Sequence, residues 1–100
     1  MEEYVYEVTM PDGSCWVVAV MAIARNRAAY YAHEFGGDVE RSLTEDTIPL
    51  FRADHYEIRD WAANNMNWSD LLDFAVRVGD PAPVDYQEGW VNGGYRVTRR

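Results

Sequence analysis

The chain contains no lysine; all nine of its basic residues are arginine. A Schiff-base lysine and the lysine of a phosphate-binding P-loop are therefore excluded. A single cysteine, Cys15, excludes an internal disulfide and a cysteine-based zinc site within one chain. Cys15 lies in an apolar run, where a cysteine is ordinarily a small buried hydrophobe. The longest such run, CWVVAVMAIA at 15–24, has ten residues, too few to span a bilayer. Met1-Glu2-Glu3 is acidic where a secretory leader is basic. Without secretion, the tract NWS at 67–69 has no meaning as a glycosylation acceptor. A cytoplasmic protein without membrane contact is expected.

What is present describes a globular chain. One hundred residues, 48% of them hydrophobic and four of them tryptophan, suffice for one domain with a modest core. Large aromatics let a small core form from few side chains. The net charge of −8 repels a phosphate backbone over long range.

The hydrophobic period places the elements. Residues 1–20 read as a β-hairpin turning at PDGS (11–14), because Asp-Gly suits a tight loop that needs positive φ. With Asp12-Gly13 as a two-residue loop, Val8 faces Val17 and Tyr6 faces Ala19. Tyr4, Tyr6, Val8 and Met10 then form one face. Trp16, Val18 and Val20 fall on the other, where their apolar surplus makes a homodimer seal a candidate. Residues 21–66 read as a helical block. Ile23, Tyr30, Tyr31 and Phe35 fit a stripe that stops at Gly36-Gly37. Asp38 caps a second helix with Val39 and Leu43 inward, and Pro49 ends or kinks it. Asp54 and Glu57 have capping-box spacing for a third, whose inner face is Ile58, Trp61, Ala62 and Asn65. After Ser69 the chain reads either as a helix or as a strand at FAVRV (74–78); the alternation favours the strand. Residues 89–98 read as a hairpin looping at Asn92-Gly93, with Trp90 across from Tyr95, or else as a tail with one strand. The class is α+β: an antiparallel sheet from the N-terminal hairpin and C-terminal strands (74–98), covered by two or three central helices.

Chemistry-bearing patterns are sparse. Asp54, His55 and Glu57 share one turn, and His33-Glu34 is a second donor pair. Neither has the spacing that sets two imidazoles on one helix face, and capping explains the first better. Ser14 and Cys15 have no histidine near them by local geometry. FGGD (35–38) lacks the length and the preceding strand of a phosphate loop. No catalytic residue, metal or cofactor is assigned. Between residues 34 and 60, eight acidic residues stand against three arginines. Such a surface either imitates a phosphate backbone or is simply solvated.

The stretch WAANNMNWSD (61–70) mixes aromatics and amides, as recognition surfaces do. It also sits where the third helix must stop. Asn67 and Ser69 can turn the chain there by bonding their own backbone. The corner reading predicts that Trp61 and Trp68 are both buried.

The run EFGGDVERSLTEDTIPLF followed by EIRDWAANNMNW, with the VTMPDGS hairpin and the AAYYA helix before it, resembles a group of small uncharacterised acidic proteins encoded by phages and prophages. The resemblance covers roughly positions 4 to 70, and more weakly VDYQEGWVNG near the end; the chain departs from it at Cys15. It implies an accessory protein of a mobile genome and supplies no catalytic residue. The expected function is therefore non-enzymatic protein binding to a host or phage factor. Candidate contact residues are Glu40, Glu45, Asp46, Asn64, Asn67 and Trp68. Two other classes stay open: a nucleic-acid-associated protein using Arg25, Arg27, Arg96, Arg99 and Arg100, and a small enzyme whose groups converge only in three dimensions.

Overall fold

Alternation of Tyr4, Tyr6 and Val8 with Val5, Glu7 and Thr9 builds strand β1 (Tyr4–Thr9), which turns back into β2 (Cys15–Ala19). The computed structural model describes residues 3–11, 14–71, 75–78, 90 and 94–99. Its register pairs Tyr6 with Val18, Val8 with Trp16 and Thr9 with Cys15, one residue away from the register that a two-residue loop dictates. The Met10 N–H donates to the Ser14 carbonyl at 2.8 Å, so three residues separate the closing pair. Three-residue loops are a common hairpin solution; Asp12 and Gly13 themselves lie outside the described residues.

The slip has a large consequence, because side chains alternate and a shift of one residue moves a whole strand to the other face. Trp16 and Val18 share the face of Tyr6 and Val8, not the opposite one. Val18 is fully buried, as is Val20 at the start of the next helix, and Trp16 is half-buried against the same core. The separate apolar face expected for Trp16, Val18 and Val20 does not exist, and the argument for a dimer sealed by them goes with it.

Two further strands, β3 (Ala75–Val78) and β4 (Tyr95–Arg99), complete a sheet of order β3-β2-β1-β4 in which all neighbours are antiparallel. The sheet joins the N-terminal hairpin to C-terminal strands, as the α+β reading expects, with the hairpin at the centre and the C-terminal strands at the edges. FAVRV is a strand over its last four residues. The second hairpin is not found as drawn. Tyr95 pairs with Val8 of β1, while Trp90 has helical backbone and is buried; Asn92 and Gly93 lie outside the described residues.

Strand β2 runs directly into helix α1 (Val20–Tyr31) without a side-chain cap. Its buried residues are Val20, Ile23, Ala24 and Ala28, and the alanines bring the helix axis close to the sheet. Tyr30, expected on the stripe, lies two turns beyond Ile23 and is 65% exposed. A 3-10 turn (Ala32–Phe35) ends at Gly36 and Gly37, with φ of 66° and 85°. Only glycine enters that region without steric cost.

Asp38 caps α2 (Val39–Ser42), accepting from the Arg41 N–H at 3.1 Å. The helix does not end at Pro49. It widens into a π-turn over Leu43–Thr47 and continues as α3 (Ile48–Ala53), with Pro49 in its first turn. A proline ring clashes with the carbonyl four residues back, here that of Glu45, and the widened turn spans that position. Asp54 then accepts from the Tyr56 N–H at 3.0 Å at the start of α4 (Tyr56–Asn65). Only half of the capping box forms, because the Asp54 N–H already donates to the Leu50 carbonyl. Ile58, Trp61 and Ala62 are buried; Asn65 is exposed.

The corner after α4 is built as the tract suggests, with a different residue closing it. Met66 is extended and a 3-10 turn follows at Trp68–Leu71. The Asp70 carboxylate accepts from the Asn67 N–H at 2.7 Å. Trp61 and Trp68 are both buried. From far along the chain, the Trp90 indole N–H donates to the Ala62 carbonyl at 3.0 Å and the Met66 carbonyl at 3.2 Å. The core lies between the helices and the Tyr6–Val8–Val18 face of the sheet. Among the described residues no helix is long and apolar enough to cross a membrane.

Two predictions follow from this core. Trp90→Phe keeps most of the buried ring and deletes the shared donor. The two carbonyls lose that partner, and a loss of about 1–3 kcal/mol is expected; an unchanged urea midpoint would remove Trp90 as the anchor of this corner. Tyr6 gives the second. Its hydroxyl has no hydrogen-bond partner among the described residues, and its pKa is pushed up to about 12, chiefly by burial, with Arg59 opposing and Tyr95 adding to the rise. Between pH 10, the ordinary tyrosine value, and about 12 the unfolded chain ionises while folded Tyr6 keeps its proton. Stability from this group is therefore complete below pH 10 and falls as pH rises through that window. Tyr6→Phe should be neutral or stabilising at pH 7 and should flatten this alkaline decline, read by denaturation across pH 8–12.

Candidate functional site

Six of the eight acidic residues between positions 34 and 60 are engaged within the chain, three of them with arginines. Arg25 meets Glu40 at 2.6 Å, Arg27 meets Asp46 at 2.8 Å and Arg41 meets Glu45 at 2.9 Å. Asp38 and Asp54 cap helices, and Asp60 accepts from the Asn64 amide at 3.0 Å. Three of the expected contact residues, Glu40, Glu45 and Asp46, thus sit in intramolecular pairs and do not form an open array of carboxylates. Asn64 and Asn67 are exposed at the end of α4 and in the corner. Trp68 is buried, edge-on to Trp16 at 5.2 Å and tilted against Trp90 at 6.0 Å. It belongs to the core and presents no contact surface.

A different group of side chains converges at the seam between α1 and α4. Tyr30 and Tyr31 lie edge-on to each other at 4.9 Å, and their rings stand 5.5 and 5.8 Å from the ring of Trp61. Arg27 backs them. Its side chain is only 14% exposed, its guanidinium lies 4.7 Å from the Tyr31 centroid and 5.9 Å from that of Trp61, and the same group donates to Asp46 and Thr47. The Trp61 indole N–H donates to Asn26 at 2.9 Å. The outcome is a fixed aromatic base with one ring, Tyr30, standing in solvent. An exposed aromatic held on a rigid base of aromatic and arginine side chains is the kind of residue that anchors protein-recognition surfaces.

Of these residues the expected contact set includes only Asp46, and Arg27 enters only the nucleic-acid alternative; Tyr30, Tyr31, Trp61 and Asn26 belong to neither. Tyr30 and Tyr31 were placed together on one stripe, yet adjacent helical positions point about 100° apart. Two consecutive tyrosines could have signalled that one of them faces outward. The pairing with Trp61 joins positions far apart in sequence and had no local signal.

Groups suited to a metal do not gather. Among the described residues, no three of histidine, cysteine, aspartate and glutamate come together as a metal site. His33 meets the Tyr30 carbonyl at 3.1 Å, and His55 lies edge-on to Tyr4 at 5.1 Å. Cys15 is half-buried with Thr9 Oγ1 at 3.7 Å. No protein-family model, curated protein or solved structure matches the chain.

The three arginine pairs differ in burial, and their contributions should differ accordingly. Arg27→Ala removes a mostly buried guanidinium from two hydrogen-bond acceptors and two rings. It is expected to cost about 2–4 kcal/mol, against less than about 1 kcal/mol for Arg25→Ala or Arg41→Ala. Equal losses in urea denaturation of the three variants would contradict the role given to Arg27.

Proposed function

We propose that this chain is a non-enzymatic protein-binding module, of the kind that phages and prophages carry as accessory proteins, and that it engages a host or phage protein through the α1/α4 seam. One observation carries the reading. Tyr30 is 65% exposed while its neighbours Tyr31, Trp61 and Arg27 are held by mutual packing and hydrogen bonds. An exposed aromatic on a rigid base loses little conformational entropy on binding. Asn26, exposed one turn before Tyr30, accepts from the Trp61 indole and ties the base to α1. The acidic surface is a weaker candidate, because its carboxylates at Glu40, Glu45 and Asp46 are already paired. The similarity in pattern to phage-encoded proteins supplies the biological setting.

Affinity capture from bacterial lysate tests the seam directly, using the wild-type chain beside Tyr30→Ala and Glu40→Gln. A partner retained by the wild type and by Glu40→Gln, and lost with Tyr30→Ala, is the expected result. Retention unaffected by Tyr30→Ala, or dependent on Glu40 instead, would place binding elsewhere.

A further inference from the structure

We infer that the partner presents an arginine-bearing segment to the seam; this rests on the protein-binding reading above and names the chemistry of what binds. The inference comes from where the unused charge lies. Of the eight acidic residues between positions 34 and 60, Glu40, Glu45 and Asp46 are paired with arginines. Asp38 and Asp54 cap helices, and Asp60 holds Asn64. Glu34 and Glu57 remain, with no side-chain partner among the described residues. Glu34 lies one turn beyond Tyr30, in the 3-10 turn that extends α1, and Glu57 lies one turn before Trp61 on α4. Each of the two carboxylates that the block leaves free therefore lies one helical turn from a ring of the seam, Glu34 from the exposed Tyr30 and Glu57 from the Trp61 on which Tyr30 packs.

A cation is the complement of that arrangement. A ring face attracts a guanidinium electrostatically, and a carboxylate beside it accepts from the same fork of donors. Arginine satisfies both at once, because its plane stacks while its edge donates; an ammonium acts as a point charge. The seam already contains one example. Arg27 lies over Tyr31 at 4.7 Å while donating to Asp46 at 2.8 Å. A partner arginine over Tyr30, reaching Glu34 or Glu57, repeats that geometry on the outer side. Arg27 offers little opposition, since Asp46 neutralises it. The net charge of −8 draws a basic segment in from a distance.

The test uses the full chain, labelled with nitrogen-15, and a short glycine–serine peptide carrying a pair of arginines, beside its counterpart with citrulline in their place. Expected are shifts of the Tyr30 amide and the Trp61 indole N–H on adding the arginine peptide, and their loss with the citrulline peptide. Tyr30→Ala, and separately the pair Glu34→Gln and Glu57→Gln, should each weaken binding about 3- to 30-fold. Glu40→Gln should leave it within about 2-fold, since an exposed paired charge contributes little. Shifts spread over the whole helical block, or indifferent to Tyr30→Ala, would overturn the inference. A chain that captures a partner in a Tyr30-dependent way yet ignores the arginine peptide would overturn it alone; capture that never depends on Tyr30 would end the protein-binding reading as well.

Discussion

A single indole N–H, that of Trp90, joins the parts of this molecule that sequence distance keeps apart. It donates to the carbonyls of Ala62 and Met66, at the end of α4, where a helix leaves acceptors without internal partners. Its ring stands edge-on to Tyr6 at 5.3 Å and tilted to Trp68 at 6.0 Å. Helix end, central strand and corner therefore meet on one side chain that is 1% exposed. A helix that stops at Asn64-Asn65 needs an outside donor, because asparagine favours ending a helix and does not itself satisfy the carbonyls behind it. Trp90 thus ties the end of α4 to the sheet and to the corner that carries Trp68.

Features governed by local chemistry were legible in the sequence: the first hairpin, the glycine stop at 36–37, the caps at Asp38 and Asp54, the strand after Phe74 and the α+β order of elements. The register was not, because PDGS admits loops of two or three residues and only tertiary packing chooses. With three, Trp16 and Val18 reach the side of the sheet that the helices cover, and the core gains both. Pro49 signals either an end or a kink, because proline disfavours a helix interior; the helix continues, the π-turn before Pro49 absorbs the clash, and no composition signal announces a π-turn. The seam was the least legible part. Tyr30, Tyr31 and Trp61 meet only because α1 and α4 pack together, and period alone assigned all three inward. Trp68 admits both readings from its setting, a contact residue among amides or a buried corner residue, and its contacts with Trp16 and Trp90 bear out the corner.

The charge pattern acquires a different meaning once the pairs are known. A count of eight acids against three arginines between positions 34 and 60 suggests an open anionic surface. Arg25 and Arg27 of α1 lie outside that window and neutralise Glu40 and Asp46 within it. Arginine suits this role because its fork reaches carboxylate and hydroxyl together, as Arg27 does with Asp46 and Thr47. The same residue lies against Tyr31 and Trp61, so one guanidinium fixes both the helical block and the base of the exposed aromatic.

Trp61 makes the surface and the core inseparable. On one side it continues the stripe of Ile58 and Ala62 in α4, and on the other its ring edge supports Tyr30. A side chain held by core packing cannot relax away when a partner presses on Tyr30, so the energy of a contact made there is not lost to rearrangement below it. WAANNMNWSD is thus neither surface nor joint alone. Its second tryptophan anchors the corner in the core, and its first carries the load of the seam outward from the same buried layer.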